Sequence, residues 1–280
     1  MGDFIFQLGS FDPAQHPENA RLLIEAGESH LAFISWQPMA NRIIALDYAR
    51  FPSGQAVESY ERILQAHPSR QMKWEKQQVF HFTGEQVLMP EKMHQEGLAK
   101  LALNMVHGDL EPDGEMEELI TGTDIRNYYR LRGEIRKSLH EAFPLATHGH
   151  SFTSLLACLT RRADQLPAQF LYVQVYHQQI SLVVFMQGRL YLAQVFPYEI
   201  PEDISYYLLN ACEQLNMDPN EVPLYVSGLV ELDSPFYHEL QKYYRHISMD
   251  SSPGSLDLPV ECSNFPAHFF TPQIMLAACG

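Results

Sequence analysis

Three apolar runs follow one another between Phe170 and Phe196, interrupted only by the polar triplets HisGlnGln at 177–179 and GlnGlyArg at 187–189. Runs of strand length separated by tight polar turns predict an antiparallel meander. After Pro201 the period changes. Ile204, Tyr207, Leu208, Ala211 and Leu215 fall on one face of a 3.6-residue repeat, which predicts a helix over 201–217. Pro201 suits the first helical position, and Asp218-Pro219 closes the helix. The segment VPLYVSG at 222–228 then reads as another strand, so the whole stretch is β-β-β-α-β.

The same order occurs near the start of the chain. LLIEAG (22–27), HLAFISWQ (30–37) and RIIALDYARF (42–51) are strand-like runs, the first two separated by a polar turn at 27–29. Ser53-Gly54 then opens a helix with Val57, Tyr60 and Leu64 on one face, stopped by Pro68. QQVFHF at 77–82 is a strand, and Pro90 is expected to open a helix through Asn104. Arg42 and Arg189 stand at corresponding points, an offset of 189 − 42 = 147 residues. Two β-β-β-α-β-α units therefore predict an α/β fold built by internal duplication. The second copy continues with Asp233 and Ser234 as N-cap residues, Pro235 as first helical residue, and Phe236, Leu240, Tyr243 and Tyr244 as a buried face.

The flanking and intervening segments are less regular. Residues 1–19 read as an N-terminal arm whose FIF triplet would add an edge strand. GDLEPDGEMEE at 108–118 reads as an acidic surface loop. NYYRL at 127–131 is a strand, and Ile135, Leu139, Ala142 and Phe143 mark a helix. LATHGHS at 145–151 is a short strand, followed by a helix carrying Phe152, Leu155, Leu156 and Leu159. SSPGSLDLP at 251–259 reads as a loop. The apolar finish FPAHFFTPQIMLAACG, with Pro272 opening a last helix, is expected to be packed. The expected organisation is an arm at 1–19, a first lobe at 20–166 with inserted α/β material, and a second lobe at 167–280 with the C-terminal helix packing back.

Charge narrows the function classes. The 280 residues carry 19 Lys plus Arg against 34 Asp plus Glu, a net charge of −15. Such a surface repels nucleic-acid phosphate and anionic lipid. Arg126, Arg130, Arg132, Arg136 and Lys137 are the one concentration of basic residues, read as a solvated helix face. No run reaches the roughly 18 apolar residues of a membrane span, and the N-terminus lacks a signal-peptide pattern. A cytoplasmic location is expected. Cys158, Cys212, Cys262 and Cys279 are scattered without CxxC spacing, which points to free thiols in a reducing compartment.

The duplicated pattern, together with HLAFISWQ and ALDYARF in the first copy, HSFTSLLACL, the stretch LYVQVYHQQISLVVFMQGRLYLAQVF and the closing FPAHFF, resembles the two-lobed actin, sugar kinase and Hsp70 ATPase fold with ribonuclease H-like lobes. Within it the chain looks most like a bacterial family catalogued as domain of unknown function 3822. It is more distantly similar to actin-like cytoplasmic components of type IV pilus and type II secretion machines. The resemblance runs from Leu22 to the C-terminus.

It implies a place for Mg-ATP between the lobes. Enzymes of this fold use an Asp-x-Gly-type turn in the first hairpin, an Asp-Gly turn in the second copy's hairpin, and a Gly-Gly turn near adenosine. Magnesium needs hard oxygen ligands, and phosphate needs unobstructed N–H groups. Here the first turn reads Glu25-Ala26-Gly27-Glu28-Ser29, with Glu25, Gly27 and Ser29 placed to serve; an ordinary hairpin turn is the competing reading. The second reads Gln174 and Tyr176-His177-Gln178-Gln179, without Asp or Gly. The third keeps Gly228 alone, before Leu229 and Val230.

The cleft-loop candidates are therefore Glu25, Gly27, Ser29, His177, Gln178 and Gly228. With two of three loops degenerate, no catalytic residue, no metal and no cofactor is expected. ATP with magnesium remains the alternative, in a divergent phosphotransferase or ATPase, and a small-ligand binder is a third class. The leading expectation is a catalytically silent protein that works through a protein partner. His140, His148 and His150 read as polar histidines rather than metal ligands, Ser151 as an N-cap, and Asp47, Tyr48 and His81 as strand residues that would face the cleft.

Overall fold

The computed structural model describes residues 4–14, 16–108, 114–251 and 256–279. The chain divides into two compact units. The first contains Met1–Ala157, Gly254–Asn264 and Leu276–Gly280, and the second contains Cys158–Pro253 and Phe265–Met275.

The first unit is built on a six-stranded sheet made from β1 (Phe4–Gly9), β2 (Arg21–Gly27), β3 (His30–Gln37), β4 (Arg42–Arg50), β5 (Lys76–Phe82) and β9 (Thr147–His150). Its order is β1-β4-β3-β2-β5-β9. The hairpin strands β1 to β4 pair antiparallel, and β2-β5 and β5-β9 pair parallel. β2 and β3 are buried along almost their whole length, which is why they read as continuous apolar runs rather than alternating ones. Helices α1 (Ala56–Ala66) and α3 (Gly133–Ala142) lie together on one face, where Tyr60, Ile63, Leu64, Ile135 and Leu139 meet Leu22, Ile24, Leu31 and Phe33.

Between β5 and α3 is an inserted layer, a three-stranded antiparallel sheet of β6 (Gln86–Pro90), β7 (Glu115–Leu119) and β8 (Ile125–Arg130) in the order β6-β8-β7, with α2 (Leu98–His107) against it. This layer corrects three sequence expectations. Pro90 ends a strand, opposite Ile125, and the helix begins only at Leu98, after Gly97 has reversed the chain with φ +79°. The GlyGluMetGluGlu segment is β7 from Glu115 onward; residues 109–113 of the expected loop lie outside the described residues. The helix that completes the first copy is α3, packed beside α1, whereas α2 belongs to the insertion. Nor do the basic residues form one helix face. Arg126 and Arg130 are on β8, held by Glu91 and Glu117 and by Glu85 and Asn104 respectively, and Arg132 meets Glu28 at 3.1 Å.

The second unit repeats the first sheet without its outer strand. β10 (Phe170–Val175), β11 (Gln179–Met186), β12 (Arg189–Pro197), β13 (Leu224–Gly228) and β14 (Ile247–Met249) are ordered β12-β11-β10-β13-β14, which matches β4-β3-β2-β5-β9. Directions match as well: two antiparallel pairs, then two parallel ones. Even the irregularities coincide, since the β3-β4 register shifts between Ser35 and Trp36 and the β11-β12 register between Val184 and Phe185. A bulge bends the strand and strengthens its twist, so shared bulges record a shared curvature that residue identity does not show. Gln187 and Gly188, at φ +53° and +70°, close the β11-β12 hairpin in the primed geometry that suits strand twist.

α5 (Pro201–Gln214) and α6 (Pro235–Gln241) pack on this sheet as α1 and α3 do on the first. Ser234 caps α6 by accepting the Tyr237 N–H at 3.2 Å, and Pro235 occupies its first turn. α4 (Ser151–Arg161) follows β9, and α7 (Thr271–Cys279) closes the chain with Ile274 to Ala277 buried. The N-terminal arm is tied down by β1, with Leu8 and Phe11 in the interior. Cys158 and Cys212 are buried free thiols and Cys262 a half-buried one; the side chain of Cys279 lies outside the described residues. No helix among the described residues is long and apolar enough to cross a membrane.

Candidate functional site

In the first unit Glu25 and Gly27 belong to β2 and Ser29 to the turn before β3, and all three are buried. Glu25 sits mid-sheet between Ala32 and Phe80, fully buried, with its Oε2 3.4 Å from His30 Nε2. The His30 ring stacks on Tyr48 at 5.4 Å and fills the space over Gly27, where an added methyl group would collide with it. The Gly27 carbonyl accepts the Tyr60 hydroxyl at 2.8 Å. Burial, then the charges of Glu25 and Glu28, hold that phenol well above its ordinary range, so it stays a donor. Ser29 is buried, and its carbonyl accepts the Phe51 N–H. The surface cleft at Gly27, Glu28 and Arg132 is about 30 Å³, room for a water or two. Asp47 does not join this group. It lies 3.2 Å from His67 Nε2, and His67 Nδ1 is 2.7 Å from Ser69 Oγ.

The histidines do assemble. Register places His81 of β5 opposite His150 of β9, and His81 shares a 2.9 Å hydrogen bond with His148. Burial, then His148, His150 and Arg136, keeps His81 far below the ordinary histidine range. Burial also lowers His150, to about 3. His150 Nδ1 accepts the Phe152 N–H at 3.1 Å, so His150 rather than Ser151 caps α4. Glu118 of β7, invisible as a partner while β7 reads as a loop, accepts from Tyr129 Oη at 3.0 Å and the His150 N–H at 3.3 Å; burial raises its carboxyl. Among the described residues no group of three His, Cys, Asp or Glu side chains is arranged to hold a metal ion.

In the second unit the β10-β11 loop closes through the Tyr176 N–H on the Gln179 carbonyl at 2.9 Å, with Gln178 left-handed at φ +62°. His177 and Gln178 sit at its tip. The chain folds back on this loop, since Tyr198 donates its N–H to Gln178 O and its hydroxyl to Tyr176 O. Below it Gln174 is buried, its amide nitrogen 3.4 Å from Met275 Sδ and its carbonyl oxygen 3.4 Å from Tyr176 Oη. Gly228 ends β13 at φ +90°. It gives its N–H to the His268 carbonyl and packs so closely on Val175 that a methyl group would strike the Val175 carbonyl oxygen.

A polar cluster missing from the sequence reading lies in the same sheet. Arg162 grips Asp250 with two bonds of 2.8 Å, Tyr172 Oη donates to Asp250 Oδ2 at 2.8 Å, and Ser227 Oγ lies 3.2 Å from the same phenol oxygen. Parallel pairing of β10 with β13 sets Tyr172 opposite Tyr225 and Gln174 opposite Ser227, so Tyr172 reaches Ser227 on the diagonal, and Asp250 directly follows the three-residue β14. These residues lie far apart along the chain, and among their neighbours Gln174 and Gly228 stood at motif positions.

Comparison with known proteins agrees with this architecture. A Bacteroides thetaiotaomicron protein of actin-like ATPase fold and unknown function superposes with a TM-score of 0.80 at 18% identity, over 97% of this chain and 100% of that one. A chain of the PilM-PilN type IV pilus biogenesis complex superposes with a TM-score of 0.56 at 13% identity, over 94% of this chain and 98% of that one. No curated protein matches the sequence. The fold is thus actin-like, as the family resemblance implied. With residues 10–247 matching its pattern, the chain belongs to the family described as protein of unknown function (DUF3822).

Proposed function

We propose that this chain is a bacterial cytoplasmic protein that keeps the actin-like fold without nucleotide chemistry and acts by binding a protein partner. The observation that carries the reading is the internal use of the phosphate-loop positions. His30 fills the space over Gly27, Tyr60 takes the Gly27 carbonyl, and Gln174, where an acidic turn would begin, is spent on Met275 and Tyr176. Phosphate binding needs backbone that a ligand can approach, and these side chains stand in its way. No cofactor is expected, and a net charge of −15 disfavours nucleic acid as the partner.

A protein partner fits two further facts. The pilus relative is part of a protein complex. In this chain, α2 of the insertion leaves Leu101, Met105 and Val106 exposed by 58%, 79% and 60%, apolar side chains of the kind that partner proteins cover.

Titration with Mg-ATP and Mg-ADP, together with a hydrolysis assay, tests the reading. Neither heat from the Glu25 turn nor turnover is expected. Cross-linking in the host should recover one recurrent protein, lost from a Leu101→Asp, Met105→Asp variant that melts normally. ATP hydrolysis well above background that disappears in Glu25→Gln would overturn the proposal and establish a divergent phosphotransferase.

A further inference from the structure

Arg136, Lys137 and His140 follow one another along one side of α3, and His148 of β9 faces them across a cleft of about 430 Å³. The cleft is walled by these four basic side chains and by apolar groups that include Met116 of β7 and Pro144; no Asp or Glu lines it. Among the described residues Arg136, Lys137 and His140 form no ion pair, in contrast to Arg126, Arg130 and Arg132, each of which has a carboxylate. Arg136 and His140 are four residues apart, one helical turn, so their side chains lie on the same face.

Like charges gathered without a carboxylate from the described residues raise the local positive potential, and His148 lies within it. After burial, Arg136 and His140 are the causes that hold its imidazole below the ordinary range. Arg136 lowers His81 as well. The other groups around His148 are His81 of β5 at 2.9 Å and Glu118 of β7, which lines the neighbouring cleft and is bonded to Tyr129 and His150. In a chain whose net charge is −15, a concave surface that gathers Arg136 and Lys137 with no carboxylate from the described residues in its lining is a reversal of the general charge. A helix face exposed for solubility needs no such convergence on a cavity.

We propose that this cleft binds a small phosphorylated ligand. Its phosphoryl group lies between Arg136, Lys137 and the two histidines, and its body lies against Met116 and Pro144. A doubly charged phosphoryl group matches the two permanent cations Arg136 and Lys137, the imidazoles offer ring N–H donors beside them, and an arginine fork meets phosphate oxygens in pairs. The volume is in the range of small-molecule sites and exceeds what an inorganic ion fills. The cleft shares no residue with the Glu25 to Ser29 turn, so the inference stands apart from the loss of nucleotide chemistry.

Titration of the full chain in magnesium-free buffer with inorganic phosphate, phenyl phosphate and citrate tests it. Phenyl phosphate is expected to bind at sub-millimolar concentration and more tightly than inorganic phosphate, with citrate weaker than either. Arg136→Ala and Lys137→Ala, both at exposed side chains, should each weaken phenyl phosphate by about tenfold or more, the effect of one charge-assisted hydrogen bond, with melting unchanged. Arg132→Ala, outside the cleft, should leave affinity as it is. No heat from phenyl phosphate into the millimolar range, affinity undiminished in the Arg136→Ala, Lys137→Ala double variant, or citrate binding as tightly as phenyl phosphate would each overturn the assignment. Mg-ATP heat abolished in the double variant would belong to this cleft, whereas heat abolished in Glu25→Gln would belong to the hairpin turn.

Discussion

Arg162 and Asp250 meet through two parallel hydrogen bonds, Nη1 to Oδ2 and Nη2 to Oδ1, each 2.8 Å long. The carboxylate also accepts from Tyr172 and is nearly buried, while the guanidinium is mostly covered. Removing one member of such a pair leaves the other charge without its partner. Asp250→Ala is expected to cost about 3 kcal/mol or more, read as a lower midpoint in urea. The Arg162→Leu, Asp250→Leu double variant should lose less than Asp250→Ala alone. Equal losses would show that the uncompensated charge is not what matters.

Gly228 and Gly27 should respond differently to alanine. At Gly228 the added methyl meets backbone, and φ is +90°, so neither strain nor collision can relax. At Gly27 it meets the buried ring of His30, which has side-chain freedom although little room. Overpacking of this kind typically costs about 1–3 kcal/mol, so Gly27→Ala belongs in that range and Gly228→Ala at or above its top. Thermal melts of the two variants give the order, and the reverse order would contradict it.

Acid should weaken the fold through its histidines. Burial is the main cause that lowers His81, His148 and His150, the last to about 3. The unfolded chain takes up these protons near pH 6.5 while the folded chain does not, so stability falls as pH drops through 6.5 toward 3. Each histidine steepens the fall by up to about 1.4 kcal/mol per pH unit. Asn can cap α4 as His150 does but carries no titrating proton. His150→Asn should therefore flatten the decline between neutral and acid pH, measured as unfolding free energy in urea at several pH values.

Ser234 offers a local test. Its hydroxyl caps α6 through the Tyr237 N–H and donates to the Glu231 carbonyl at 2.6 Å. Ser234→Ala is expected to cost about 1 kcal/mol, and Ser234→Asp to recover most of it because aspartate caps equally well. Denaturation midpoints of the two variants distinguish a cap from a neutral surface position.

The linear order of residues determined the strands and helices that bury both faces or one clear side. β2, β3, β4, α1 and β5, and then β10, β11, β12, α5 and β13, all announce themselves by apolar periodicity and by turn residues such as Gln187-Gly188 and Pro201. Their repetition implied a duplicated α/β fold, and the resemblance to the actin, sugar kinase and Hsp70 ATPase fold supplied its name. β6, β7 and β14 were not legible. β7 carries three glutamates in five residues, of which Glu117 meets Arg126 and Glu118 meets Tyr129 of β8, while β14 is three residues long and held by β13.

Tertiary structure alone decided which way the motif residues face. Glu25 and Gly27 lie in β2 and Ser29 in the turn that follows it, with His30 and Tyr60 packed against Gly27 from within. It alone gathered Arg162, Tyr172, Ser227 and Asp250 into one cluster, and turned Arg136, Lys137, His140 and His148 toward one cleft. Local sequence sets backbone periodicity over a few residues, but the direction of a buried side chain depends on the partner that strand register and helix packing bring to it.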